Sequence, residues 1–341
     1  MATKANSVPH PTLIQVDPFV PADQQKGLHN RWHPDIPAVA TVKPGQVFKI
    51  ECVDWTGAQI GNNDFSDDIK DVDLSKVHNL SGPIAVEGAE PGDCLVVDIL
   101  DVTPFEKMPW GYTGIFELSN GGGLFAKEFE SKAAKAIWDF HGVYASSRHI
   151  PGVRFAGVSH PGLIGTAPSA ELLATWNQRE GALIAEHPNA MPPVAFAPSA
   201  VGAYVGQDLD PEVMKKILEE GARTVPGREH GGNCDIKNLS KGSRCYFPVF
   251  IKGANLSVGD LHFSQGDGEL SFCGAIEMAS GSLTPRSAVE LDFQAGIITF
   301  STSIIKGGVE KFALKQPIFL PSPVDPMYSA KVVFEGISVD Y

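Results

Sequence analysis

Hydrophobic and polar residues alternate in short runs through most of the chain, which is typical of β-strands and not of long helices. Such runs include AVATV, QVFKIECVDW, CLVVDILDV and AVELDFQAGIITFST. Glycine (35 residues) and proline (26 residues) separate these runs, and both favour turns between many short strands. We therefore predict a β-dominated α+β fold, with a β-sandwich or barrel-like core and a few inserted helices.

Three segments depart from the alternating pattern and predict helices. Residues 128–139 place apolar side chains at helical intervals. Residues 169–185 begin with Ser169 as a helix cap and continue with an apolar stripe. Residues 210–220 begin with an Asp-Pro pair and are followed by glycine, which are ordinary start and stop signals.

These elements predict one intertwined unit with three parts. The parts are a mainly β segment at 1–125, a helix- and loop-containing insertion at 126–228, and a mainly β segment at 229–341.

Charge and composition narrow the function classes. The 341-residue chain carries a formal net charge of −13, which argues against a nucleic-acid partner and against an anionic membrane surface. No apolar run is long enough for a signal peptide or a membrane span, so we expect a soluble cytoplasmic protein. The five cysteines are widely spaced, which indicates a reducing compartment and not a disulfide framework.

One strand-like segment in the C-terminal part carries an unusual number of ionisable side chains. An Asp-Gly pair at 267–268 is a signal for a two-residue turn. That turn would place His262 opposite Cys273 and Val258 opposite Glu277. The side chains on one face would then include Asp260, His262, Cys273 and Glu277. Because unpaired buried charges are unfavourable, a bound divalent metal ion is one hypothesis, and a hairpin with a solvated polar face is the other.

Four stretches of the chain resemble the acetamidase/formamidase family, in the order in which that family has them. They are GPIAVEGAEPGDCLVVDILD, PGVRFAGVSHPGLIGTAPS, HGGNCDIKNLSKGS and PVFIKGANLSVGDLHFSQGDGELSFCGAIE. The resemblance extends from about His29 to Ile337 and is greatest to the longer formamidases. Since those proteins usually continue past the point where this chain stops, the chain is expected to be C-terminally short.

The resemblance implies a mostly β fold, a homo-oligomer and hydrolysis of a small neutral amide, formamide first. It also implies a bound divalent metal, which we expect to be Zn²⁺, with Ca²⁺ as the alternative. The expected metal ligands are His262, Asp260, Asp235 and Asp64. The expected catalytic carboxylates are Glu277, Glu87 and Asp267.

Four further residues are expected to bind the substrate. His160 and Gly162 begin a glycine-rich loop whose backbone N–H groups suit a substrate oxygen. The resemblance adds Asn233 and Gln265. A small, largely apolar pocket is expected to favour formyl and acetyl groups, although size alone discriminates weakly.

Two other functions stay open. One is an amidase without metal, in which Cys273 or Cys234 is the nucleophile and His262 is the base. The other is a non-catalytic β module whose acidic hairpin binds a structural Ca²⁺ ion.

Overall fold

The structure is a computed structural model. It describes residues 9–17, 20–106, 109–122, 126–187, 197–266, 275–279 and 296–322.

Two β-sheets account for most of the regular structure in these residues. The first has six strands, in the order β1 (Thr12–Ile14), β4 (Val47–Cys52), β16 (Gly296–Ile305), β6 (Cys94–Pro104), β13 (Arg244–Pro248) and β17 (Ile318–Leu320). The second has eleven strands, and eight of them follow the order β10 (Arg154–Ala156), β9 (Tyr144–Ser147), β8 (Ala134–His141), β7 (Trp110–Ile115), β15 (Ile276–Met278), β14 (Leu256–Ser264), β11 (His160–Gly165) and β12 (Gly231–Asn233). The remaining three are β5 (Leu80–Val86), which pairs with β14, and β2 (Leu28–His29) and β3 (Ala40–Val42), which both pair with β5.

A continuous core of apolar side chains connects the two sheets. Phe48 and Phe300 of the six-stranded sheet belong to the same buried cluster as Ile84 and Val258 of the eleven-stranded sheet. Burial of this apolar surface is the main favourable contribution to folding. The predicted β-dominated α+β fold is confirmed.

Five short or medium helices lie between the strands of the described residues. They are α1 (Asp67–Lys70), α2 (Ala126–Phe129), α3 (Ala170–Glu186), α4 (Pro211–Glu220) and α5 (Gly308–Phe312). Two of the predicted helices are confirmed as α3 and α4, and the caps are those expected: Ser169 accepts from the N–H of Leu172, and Asp210 accepts from the N–H groups that follow it. None of the described helices combines the length and the apolar character needed to cross a bilayer.

The helix predicted for 128–139 is wrong over most of its length. Only its first residues lie in α2, while Ala134–His141 form β8, which pairs with β7 on one side and β9 on the other. Ile137 and Trp138 are both buried, because the two faces of β8 contact different apolar clusters. Pairing with strands on both sides therefore overrides a helical spacing that was only local.

A buried ion pair attaches α3 to the segment that leads into β12. Arg228 donates from Nε to Glu180 Oε1 at 2.6 Å and from Nη2 to Glu180 Oε2 at 2.8 Å. The side chains of Arg228 and Glu180 are 0% and 5% exposed. Since water is excluded from both groups, each depends on the other for its charge compensation.

We expect the substitution Glu180→Leu to lower the free energy of unfolding by about 3–5 kcal/mol, because it leaves the Arg228 guanidinium buried without its counter-charge. The double variant Glu180→Leu/Arg228→Met should recover most of that loss. Denaturant unfolding measures both. The control is Asp208→Asn, which removes an almost fully exposed partner of Lys26 and should leave stability unchanged. Equal stability of the single and double variants would contradict the prediction.

Candidate active site

A row of polar side chains crosses the middle of the eleven-stranded sheet. His160 on β11 lies opposite His262 on β14, and His262 lies opposite Glu277 on β15. Residues directly opposite in an antiparallel pair project from the same face and have neighbouring side chains. Two consecutive strands, β14 and β15, and the more distant β11 thus bring two imidazoles and a carboxylate together.

Along one of its two edges, strand β14 pairs with two different strands, and the change from one to the other occurs at this row. Its first part pairs with β5, as far as Gly259 opposite Leu80, and its second part pairs with β15, from His262 opposite Glu277. The start of β5 and the end of β15 therefore meet beside Asp260.

The backbone of Asp260 is left-handed, with a φ of 52°. This conformation interrupts the alternation of side chains along β14, so that Val258 before it and Leu261 after it both belong to the main core. His262 consequently projects away from the core. A left-handed non-glycine residue is unfavourable by about 1–3 kcal/mol and persists where its surroundings fix it; aspartate is one of the residues that tolerate it best.

The imidazole of His262 is surrounded by carboxylates. Its Nε2 atom lies 3.1 Å from Glu277 Oε2, 3.2 Å from Asp260 Oδ1 and 3.9 Å from Asp235 Oδ1. The side chains of His262, Asp260 and Glu277 are at most 6% exposed, whereas that of Asp235 is 23% exposed. Asp235 thus lies on the more open side of the cluster.

These charges control one another's ionisation. Burial acts to lower the pKa of His262, but the charges of Glu277 and Asp260 outweigh it and raise that pKa well above its ordinary value. Burial acts to raise the pKa of Asp260, but His262 outweighs it and holds that pKa below its ordinary value. Asp260 is therefore an anion at neutral pH.

His160 supports His262 from the neighbouring strand. Its Nδ1 atom donates to the backbone oxygen of Val158 at 2.7 Å, and its Nε2 atom lies 3.3 Å from Nδ1 of His262. The two rings meet edge to face, with centroids 5.1 Å apart. These contacts fix the orientation of the His262 ring, so its Nε2 atom points at the carboxylates.

The absence of a side chain at Gly162 makes space for the cluster. A Cβ atom there would lie 2.5 Å from Asp260 Oδ2, 2.8 Å from Asp235 Oδ1 and 2.8 Å from His262 Cε1. The backbone oxygen of Gly162 also accepts from the N–H of Asp235 at 3.2 Å. The two carboxylates and the imidazole therefore converge directly against the backbone of Gly162.

The cluster fits a divalent cation. One ligand atom each from Asp235, Asp260 and His262 can be chosen so that all three lie within 4.8 Å of one another. Two carboxylates and one imidazole are donors that transition-metal ions and Zn²⁺ accept.

Comparison with known proteins places the chain in a family. The Acetamidase/Formamidase family model matches residues 15–341. The chain is 57% identical over 330 residues to a formamidase from Methylophilus methylotrophus, covering 96% of this chain and 77% of that protein. It is 54% identical over 327 residues to an acetamidase from Mycolicibacterium smegmatis, covering 94% of this chain and 76% of that protein.

The chain belongs to the acetamidase/formamidase family. Its structure also resembles that of a gamma lactamase from Delftia acidovorans, with a TM-score of 0.85 and 53% identity, covering 94% of this chain and 74% of that one. The family predicted from the sequence motifs is confirmed, and with it the predicted class of enzyme, an amide hydrolase.

The hairpin register predicted for this family member is wrong. Glu277 lies opposite His262 instead of Val258, and Ile276 lies opposite Ser264. The prediction assumed that the strands continue up to a two-residue turn, whereas in the structure β14 ends at Ser264 and β15 begins at Ile276. The predicted partner of Glu277 is four positions away from the actual one on β14, and Glu277 and His262 share a face because they lie directly opposite each other.

Two of the predicted site residues lie elsewhere. Asp64 is 65% exposed at its side chain and contacts His149 and Arg148, at 3.2 and 3.5 Å, instead of joining the cluster. Glu87 is exposed in the turn after β5, at the end of that strand that lies away from Asp260. Asp267 lies outside the described residues.

The two predicted substrate-binding amides lie at the edge of the cluster. Gln265 lies with its side-chain amide 3.1 Å from His160 Nε2. Asn233 pairs with Leu163 on β11, and its buried Oδ1 atom has no hydrogen-bond partner among the described residues.

The thiol predicted as an alternative nucleophile, Cys234, is part of the main core, and its Sγ atom lies 3.9 Å from the backbone oxygen of Ile164. The other candidate, Cys273, lies outside the described residues.

Sequence reasoning missed His78. This residue stands just before β5, and its pKa responds to the charges of Asp260 and His262. Nothing in the surrounding letters VHNLSG identifies it as a site residue, because its proximity depends on the pairing of β5 with β14.

We expect Gly162→Ala to lower the free energy of unfolding by about 1–3 kcal/mol, because the new methyl group overlaps Asp260 and Asp235. The matched control is Gly181→Ala in α3, where a Cβ atom meets nothing within 4 Å; it should be neutral or stabilising by up to about 1 kcal/mol. Denaturant unfolding compares the two. Similar stabilities for both variants would show that Gly162 is not a packing constraint.

Proposed function

We propose that this protein hydrolyses short aliphatic amides, formamide first, to the carboxylic acid and ammonia. The observation that carries the proposal is the convergence of Glu277, His262, Asp260 and Asp235 above Gly162. The relatives named formamidase and acetamidase support the same chemistry, since each is more than half identical over most of this chain.

Asp235, Asp260 and His262 would hold a divalent cation, which we propose to be Zn²⁺. An imidazole with two carboxylates suits Zn²⁺ better than Ca²⁺, which takes a larger set of oxygen ligands. When bound, such a cation polarises a carbonyl group and lowers the pKa of a water molecule. His160 keeps the His262 ring in the orientation that this binding needs.

Glu277 is proposed as the general base. Its Oε2 atom takes a proton from the attacking water as the water oxygen bonds to the carbonyl carbon of the amide. When the carbon–nitrogen bond breaks, the protonated Glu277 returns that proton to the nitrogen, which leaves as ammonia. Asp260 remains charged throughout because its pKa is held low.

That the enzyme works in the cytoplasm as a homo-oligomer stays a prediction from the sequence.

Removal of divalent metal ions by a chelator is expected to abolish ammonia release from formamide, and added Zn²⁺ should restore it. An ammonia assay, paired with elemental analysis of the same samples, measures both steps. Full turnover by metal-free protein would contradict the proposed metal. Bound metal without turnover of formamide, acetamide or propionamide would instead support a non-catalytic module.

We expect Glu277→Gln to lower kcat by about 10²–10⁴, the usual contribution of a general acid–base. Glu87→Gln is the matched control, because Glu87 is an exposed glutamate outside the cluster, and it should leave kcat unchanged. Steady-state kinetics with formamide measures both variants. The assignment of Glu277 as the base fails if the two variants have the same kcat.

A further inference from the structure

His78 lies at the junction where β5 and β15 meet beside Asp260. It precedes β5 by two residues, and a Cβ atom on Gly259 would lie only 2.3 Å from the backbone oxygen of Asn79. The chain therefore runs past β14 at the position of the carboxylate cluster. His78 also interacts electrostatically with Asp260 and His262.

Thr224 holds His78 by two contacts with a single hydroxyl group. The backbone N–H of His78 donates to Thr224 Oγ1 at 2.7 Å, and Oγ1 lies 3.0 Å from Nδ1 of the ring. Thr224 is fully buried. The ring also packs against Trp55, with centroids 5.2 Å apart, so its position and its orientation are both fixed.

The hydroxyl group determines which nitrogen of His78 carries the proton. Within the part of the chain that the structure describes, Nδ1 is the one acceptor in contact with the Thr224 hydroxyl. A buried hydroxyl proton without an acceptor is unfavourable by about 1–3 kcal/mol. Thr224 therefore donates to Nδ1, and the ring of His78 is neutral with its proton on Nε2.

This Nε2–H group is available to a ligand. It makes no hydrogen bond to any described residue, and His78 keeps 7% of its surface exposed. Burial lowers the pKa of His78 to about 4, so the ring stays neutral at neutral pH, where Asp260 is charged.

We propose that His78 is a catalytic residue that donates a hydrogen bond from Nε2–H to the amide oxygen of the substrate as negative charge develops on it. The assignment rests on the proposed amide hydrolysis. A fixed neutral donor stabilises the tetrahedral intermediate without having to reorient when the charge appears. Neutral histidines act in this way in other enzymes.

Two substitutions at His78 separate a donor from a packing residue. His78→Phe keeps a ring beside Trp55 but removes the donor, and it should lower kcat for formamide about 10²–10³-fold with little change in KM. His78→Gln keeps an N–H donor and should recover at least tenfold of that loss.

Thr224→Val removes the group that fixes the ring and should lower kcat, whereas Thr224→Ser retains the hydroxyl and should not.

The matched controls are His29→Phe and His29→Gln. His29 is likewise a buried histidine, in contact with the hydroxyl of Ser257 at 2.9 Å, and no site residue affects its pKa. Both control variants should keep the wild-type kcat. A loss of kcat in His29→Phe equal to that in His78→Phe would overturn the proposal, because it would assign the effect to lost packing.

A binding measurement keeps the test independent of folding. The hydrated form of methylboronic acid is a tetrahedral anion. Its inhibition constant should rise in Thr224→Val and in His78→Phe by the same factor by which kcat falls. If His78→Phe does not fold, Thr224→Val and His78→Gln provide the same comparison. An inhibition constant that stays constant while kcat falls would overturn the proposal.

The two proposals fail in different ways. Wild-type protein that releases no ammonia from any short amide would sink the proposed function itself. Wild-type protein that hydrolyses formamide while folded His78→Phe retains full kcat would leave amide hydrolysis in place and remove His78 from it.

Discussion

The exchange of neighbours by β14 beside Asp260 is the constraint on which the site depends. Along this edge of β14, the pairing with β5 extends to Gly259 and the pairing with β15 begins at His262, so Asp260 lies between the two partners. The left-handed backbone of Asp260 is unfavourable in isolation, but the strand pairs on both sides fix it in place.

The same junction sets the electrostatics. Three carboxylates around one imidazole would repel one another in a dry environment, and the partial compensation by His262 is what makes their burial tolerable. A divalent cation held by His262 would replace the proton of its imidazole and supply the compensating positive charge instead. The fold therefore holds the charged groups close together before any substrate binds, which is the arrangement that electrostatic catalysis requires.

The sequence predicted the features that have local causes. The caps of α3 and α4 are short-range signals, and both helices were predicted correctly. The segment 128–139 was predicted wrongly because its structure depends on pairing with β7 and β9, which no local pattern records. The class of fold was predictable because the alternating pattern recurs many times, so single errors do not change it.

Within the site, residues on one strand were predictable and residues brought in by pairing were not. Asp260 and His262 lie two positions apart, so the period of a strand predicted that they are close, although the left-handed backbone of Asp260 interrupts that period. The register that relates them to Glu277 was wrong, because the pairing of β14 with β15 contains an irregularity that no local pattern records. His78 comes near the cluster only through the pairing of β5 with β14, and for that reason no motif revealed it.

We expect polar contacts, more than the volume of the pocket, to select the substrate. The small, largely apolar pocket predicted from the sequence stays a prediction, since the cavity of about 480 Å³ beside Gln265 is lined by none of the four cluster residues. Each methylene group excluded by size is worth only about 1–3 kcal/mol. A buried donor or acceptor left unpaired by the wrong substrate discriminates far more strongly. We therefore expect the amide group itself, more than the length of its acyl chain, to determine which molecules this enzyme hydrolyses.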